Sequence, residues 1–157
     1  MNKAKLGGLT LALLLALGPA HSAIRAADDA PPQAPAGAVL VVDRSDDTNV
    51  TTCGVAASDC TLRGTINKIN LSGIGQEIQF APAITQVNLT APLPVITTTG
   101  TVIMGVAGAP RINAAGIATG FSFRINTSNA RISGLTLFNG STVDIEVESG
   151  TGNQVDG

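Results

Sequence analysis

The chain of 157 residues is long enough for one domain, and nine Lys and Arg against eleven Asp and Glu leave a net charge of −2. So sparse and faintly acidic a charge offers no electrostatic footprint for nucleic acid or anionic lipid. The four aromatic side chains are all Phe, so the Trp and Tyr platforms on which sugar rings usually stack are missing.

Residues 1–22 read as a secretory signal peptide: Lys3 and Lys5 make the basic start, Leu6 to Leu17 the apolar stretch, and Ala20-His21-Ser22 a small-x-small cleavage site. Cleavage after Ser22 is preferred, with Ala26 as the second choice. About 12 apolar residues fall short of a membrane span, so the mature chain is expected outside the cytoplasm, secreted or on the cell surface, without membrane insertion. Loss of Lys3 and Lys5 takes the net charge from −2 to −4. Residues 23–38, with Asp28, Asp29, Pro31, Pro32 and Pro35, read as a flexible linker.

Residues 39–75 form the next segment and begin with a short apolar strand, Val39–Val42. Asp43-Arg44-Ser45-Asp46-Asp47-Thr48-Asn49 follows. The carboxylates of Asp43, Asp46 and Asp47 make a weak calcium alternative, but no Gly stands at the sixth place and no Glu closes the loop as an EF-hand requires. A solvated acidic loop is the better reading, and no cofactor is expected. Cys53 and Cys60 lie close together in a chain bound for an oxidising compartment, which predicts a local disulfide.

The octet Cys60-Thr61-Leu62-Arg63-Gly64-Thr65-Ile66-Asn67 predicts a short helix. Leu62, Ile66 and Ile69 recur on one helical face, and Thr61 or Asp59 is placed to accept from the first-turn N–H groups. The octet resembles the signature of the CSLREAI domain, found near the N-terminus of secreted bacterial proteins. Cys60, Leu62, Arg63 and Ile66 match, Thr61 replaces a Ser, and Gly64 and Thr65 stand where the pattern has Glu and Ala. The resemblance runs loosely from Val39 to about Gly105. It implies a right-handed parallel β-helix behind the motif and no particular reaction.

From Gln76 onward the chain repeats. Ile78–Phe80, Val87–Leu89 and Leu93–Ile96 form one set of short strands; Val102–Met104, Arg111–Asn113 and Phe121–Ile125 a second; Ala130–Ile132, Leu135–Phe138 and Val143–Val147 a third; Asn153–Val155 opens a fourth. The sets start about 23 to 29 residues apart, and a glycine recurs at Gly105, Gly134 and Gly157. Residues 76–157 therefore predict an all-β, short right-handed parallel β-helix, a solenoid with the short helix of the Cys60–Asn67 octet as its N-terminal cap. A β-sandwich is the runner-up, weakened by the scarcity of two-residue hairpin turns apart from Asn139-Gly140. The chain reads as stopping at the opening of a fourth turn. That favours a fragment of a longer solenoid, with an open C-terminal edge available for self-association as the alternative.

The repeat register puts Phe121, Phe123 and Ile125 inward, with Ser122 and Arg124 outward. One set later Val143, Ile145 and Val147 point in while Asp144, Glu146 and Glu148 point out, so Arg124 should lie directly over Glu146. Arg63, Lys68 and Arg111 show no such partner.

His21 is the single histidine and leaves with the leader, which removes triad chemistry and imidazole-bound zinc from the mature chain. Five Asn-x-Ser/Thr triplets, at Asn49, Asn70, Asn88, Asn126 and Asn139, are expected from composition and carry no role. The preferred function is a non-enzymatic surface, adhesion or scaffold module with an extracellular or surface ligand. The alternative is a carbohydrate-active enzyme, lyase or glycoside hydrolase, using Asp144, Glu146 and Arg124.

Overall fold

The computed structural model describes residues 37–54, 58–105, 110–140 and 143–156. The expected signal peptide and all but the end of the linker lie outside them. So does Gly157.

Short β-rich runs form the strands, and the pleat turns successive side chains to opposite faces. In β1 (Val39–Val42), Leu40 and Val42 are buried while Val39 and Val41 face out. β1 runs parallel to β2 (Glu77–Phe80), which pairs with β4 (Val102–Met104), then β7 (Arg131–Ser133) and β10 (Gln154–Asp156), a five-stranded sheet. β3 (Gln86–Asn88), β5 (Arg111–Asn113) and β8 (Thr136–Phe138) form a second parallel sheet, and β6 (Phe121–Asn126) with β9 (Val143–Ser149) a third. Pairing places like side chains over one another at the interstrand spacing of about 4.8 Å. Leu40, Ile78, Ile103, Ile132 and Val155 share one column, and Val87, Ile112 and Leu137 another.

α1 (Leu62–Ser72) buries Leu62, Ile66 and Ile69 against the same core, as the i, i+4, i+7 spacing predicts. Thr61 is its N-cap, with the side-chain oxygen accepting from the Gly64 N–H at 3.0 Å. Gly73 ends it in the left-handed conformation, donating its N–H to Ile69 O.

This arrangement corrects the expected all-β right-handed parallel β-helix. Among the described residues the strands fall into three separate open sheets of unequal strand number, none closes, and a helix is built into the core; these residues are 10% helix and 35% strand. One physical reason lies in Leu93–Ile96, expected as a strand. Pro92 and Pro94 bring no N–H, and the carbonyls of Ala91, Pro92 and Val95 accept from Arg63 and Asn70 side chains on α1. Only the other edge of this stretch reaches backbone: Ile96 N–H donates to Arg124 O, Asn126 N–H to Ile96 O, and one isolated parallel bridge, Ile96 with Ile125, results. The third sheet therefore has two strands instead of three, with α1 packed where a further strand would lie.

Gly105 shows why the punctuation recurs. Its N–H donates to Ser133 O, and a Cβ there would overlap the carbonyl oxygen of Gly134. Successive passes of the chain approach too closely at this corner for any side chain.

Candidate functional site: an ionic strand face

β6 and β9 pair with Arg124 opposite Glu146, as the repeat register predicts. Arg124 Nε donates to Glu146 Oε2 at 3.1 Å, and its Nη2 pairs with Glu148 Oε1. The strands keep step as far as Ile125 and Val147; Asn126 is then opposite Ser149, an irregularity that leaves Glu148 unopposed and free to turn back to Arg124. Asn126 Nδ2 donates to Glu148 Oε2 at 3.2 Å and Ser149 Oγ to Asn126 Oδ1 at 2.5 Å. Arg124 remains 39% exposed and Glu146 32%, so such a cluster contributes under about 1 kcal/mol to stability. Asp144 stands apart from it. Its Oδ1 is shut from solvent against Gly140 and accepts no hydrogen bond from the described residues.

Inward, Phe123 and Ile125 are fully buried, and Ile145 packs partly against the core. Phe121 is only half-buried and Ser122 is buried, the reverse of the expected alternation at the strand's start. There the Ser122 carbonyl accepts from Leu93 N–H, so the stretch bearing Leu93 lies beside that end of β6.

The three carboxylates of the acidic loop diverge. Asp43 accepts from the N–H groups of Ser58 (2.6 Å) and Cys60 (2.9 Å), bracing the cysteine loop. Asp46 pairs with Arg44 and accepts from Thr48; the guanidinium hydrogen bond, then the hydroxyl, hold its carboxyl well down, at about 2. Asp47 faces Arg63. Among the described residues no group of three or more His, Cys, Asp or Glu is placed to hold a metal ion.

Cys53 and Cys60 are joined. Asp59, the other N-cap prospect, instead accepts from Gly54 N–H at 2.7 Å inside the disulfide loop. The hydroxyl of Thr65, at the position where the motif has Ala, is fully buried between Cys60 Sγ (2.9 Å) and Thr61 O (2.7 Å). Replacing both cysteines with serine is expected to cost about 2–3 kcal/mol, since the closed loop is short. Urea unfolding of wild type and variant, with unchanged m-values, measures it.

Three cations to which sequence reasoning assigned no partner are all engaged. Arg63 forks onto Asp47 (Nε to Oδ1 2.9 Å, Nη2 to Oδ2 2.8 Å) and also donates to Ala91 O and Pro92 O, each at 2.8 Å. Asp47 Oδ2 takes the Thr90 N–H and hydroxyl as well. Lys68 Nζ donates to Thr52 O and Cys53 O, and the Arg111 guanidinium lies 4.2 Å over the Phe138 ring. The sequence signal for Arg63 was its place in the octet, which marked it without naming Asp47.

An asparagine ladder was also missed. Asn139 Nδ2 donates to Asn113 Oδ1 and Asn113 Nδ2 to Asn88 Oδ1, each at 3.0 Å. The even spacing of the three residues, one strand set apart, was its signal; counted as separate Asn-x-Ser/Thr triplets, Asn88 and Asn139 hid it.

No family model, curated protein or solved structure matches this chain. The disulfide is compatible with an extracellular location, and no helix among the described residues is long and apolar enough to cross a membrane.

Proposed function

We propose that the protein is an exported contact or scaffold module that works without turnover, and that its octet places it beside the CSLREAI-bearing secreted proteins. The leader pattern of residues 1–22, the local disulfide and the sparse charge of the mature chain support export to the cell surface or medium.

The observation that carries the non-enzymatic reading is the clamping of Arg124 by both Glu146 and Glu148 on an exposed strand. Glu146 and Glu148 are both held to one guanidinium as ion pairs, and Asp144 is turned against Gly140. A hydrolase or lyase needs a carboxyl group aimed at a bound sugar. The chain also lacks Trp and Tyr to seat one. A surface module needs only a rigid frame with polar side chains displayed at strand spacing, and the outward Thr, Asn, Ser and acidic residues meet that need.

The test is an assay of the full chain on acidic and neutral polysaccharides with calcium present, alongside Asp144→Asn and Glu146→Gln. No product release above a buffer blank is expected from any of the three. Turnover by the wild type that either variant abolishes would sink the proposal and install the carbohydrate-active alternative through Asp144, Glu146 and Arg124.

A further inference from the structure

We propose that the outward face of the second sheet, centred on Arg111, binds a carboxylate-bearing polysaccharide without cleaving it. The inference rests on the contact-module reading and names the chemical class of its ligand.

Arg111 stands on β5, the middle strand of its sheet, with β3 and β8 paired on either side. Val87, Ile112 and Leu137 pack inward, so the pleat turns Arg111 and Asn113 outward, beside Gln86 and Asn88 on β3 and Phe138 on β8. Every other cation among the described residues is already spent: Arg44, Arg63, Arg124 and Arg131 form ion pairs, and Lys68 donates to Thr52 O and Cys53 O. Among the same residues Arg111 meets no carboxylate and no hydrogen-bond acceptor for its side chain. Only the flat face of the guanidinium is engaged, 4.2 Å over the Phe138 ring. That contact fixes its plane and leaves the N–H groups around its rim for a ligand.

The amides beside it are arranged to donate. Asn88 Oδ1 accepts from Gln86 Nε2 at 2.7 Å and from Asn113 Nδ2 at 3.0 Å, and Asn113 Oδ1 accepts from Asn139 Nδ2 at 3.0 Å and from the Ala115 N–H at 3.2 Å. Both central amide oxygens are therefore occupied, while each amino group has two protons and spends at most one of them in the row. The outward positions of β3, β5 and β8 carry no carboxylate. A guanidinium beside amide donors one strand spacing apart calls for a ligand rich in oxygen acceptors that carries a planar anion. A polysaccharide with uronate carboxylates has that composition: the carboxylate takes the Arg111 fork, and hydroxyl and ring oxygens take the amides. Contact runs through hydrogen bonds and an ion pair and not through ring stacking, so it needs neither Trp nor Tyr. One guanidinium is too little cation for a phosphate polymer or an anionic bilayer, which are held by several at once. Both edges of β5 are already paired, so an acidic peptide has no ladder to join there.

The test titrates the full chain by calorimetry with a uronic acid hexamer, the same hexamer with its carboxyl groups reduced to alcohols, and an end-blocked peptide of glutamates. Saturable binding of the uronate is expected, weakening as salt is added, with the reduced hexamer and the peptide silent. Arg111→Gln should weaken the uronate by about tenfold or more, and Arg111→Lys by about threefold, since a point charge keeps the attraction and loses the fork. Asn113→Asp, which puts a negative charge beside the guanidinium, should abolish binding. Arg44→Ala removes an exposed cation elsewhere and should bind as the wild type does. Melting temperatures should stay within a few degrees throughout, and if Arg111→Gln does not fold, Arg111→Lys decides in its place. No binding of the uronate, equal binding of the reduced hexamer or of the peptide, or equal losses from Arg44→Ala and the Arg111 variant each overturn the inference. A silent uronate titration without polysaccharide cleavage removes this inference alone; cleavage of the hexamer removes the reading beneath it.

Discussion

Replacing Arg63 with alanine is expected to lower stability by about 3–5 kcal/mol, because it strands a buried carboxylate. The Asp47 side chain is 1% exposed and Arg63 15%, so neither water nor salt replaces the lost guanidinium easily. For a domain of this size the melting temperature should fall by about 10 °C or more. Asp47→Asn should cost less, since Arg63 keeps the carbonyls of Ala91 and Pro92 and the amide oxygen still accepts from Thr90. Arg44→Ala is the control: its pair with Asp46 is about as close but exposed on both sides, and its melting curve should overlay the wild type. If Arg63→Ala melts with Arg44→Ala, the buried fork is not what ties α1 to the acidic loop and to the stretch after β3.

Gly64→Ala is expected to destabilise although it improves the helix. Propensity favours alanine by about 1 kcal/mol in a helix interior. A Cβ at position 64, however, would overlap the carbonyl oxygen of Val50 and press on the Thr61 hydroxyl that caps the helix. Backbone must move to admit it, and overpacking of that kind costs about 3 kcal/mol or more. A net loss of at least about 2 kcal/mol follows, with a fall in melting temperature of about 5 °C or more. Gly64→Glu, which would restore the letter of the CSLREAI signature, should fare no better. Since propensity and packing predict opposite signs, one thermal melt decides between them, and a rise would show that Val50 does not sit where the structure places it. The close passage of Val50 over α1 leaves no room for a side chain at position 64.

Much of the local architecture was legible because its signals are short-ranged. Short apolar and β-type runs placed Val39–Val42, Val102–Met104 and Arg111–Asn113 to the residue. The face of α1 followed from Leu62, Ile66 and Ile69, and equal spacing between repeats put Arg124 over Glu146. Leu93–Ile96 had the same apolar pattern and did not become a strand, because its carbonyls were taken by side chains from a helix some 25 residues earlier. The partner of Arg63 was hidden for a similar reason: Asp47 lies 16 residues away, and nothing periodic links a loop residue to a helix residue. The step from a good repeat to a uniform β-helix also failed, since a repeat says which segments resemble one another and not how many strands each sheet will hold.

What the chain's own order of residues determined is which side of each short segment faces the core, since a two-residue or 3.6-residue period sorts side chains before any packing occurs. Where those segments meet was decided only in three dimensions. Val50 crossing Gly64, Asp47 buried under Arg63 and Gly105 touching Gly134 each join backbone far apart in sequence. Contacts of that kind depend on close packing of the whole, in which any one atom's place is set by all its neighbours.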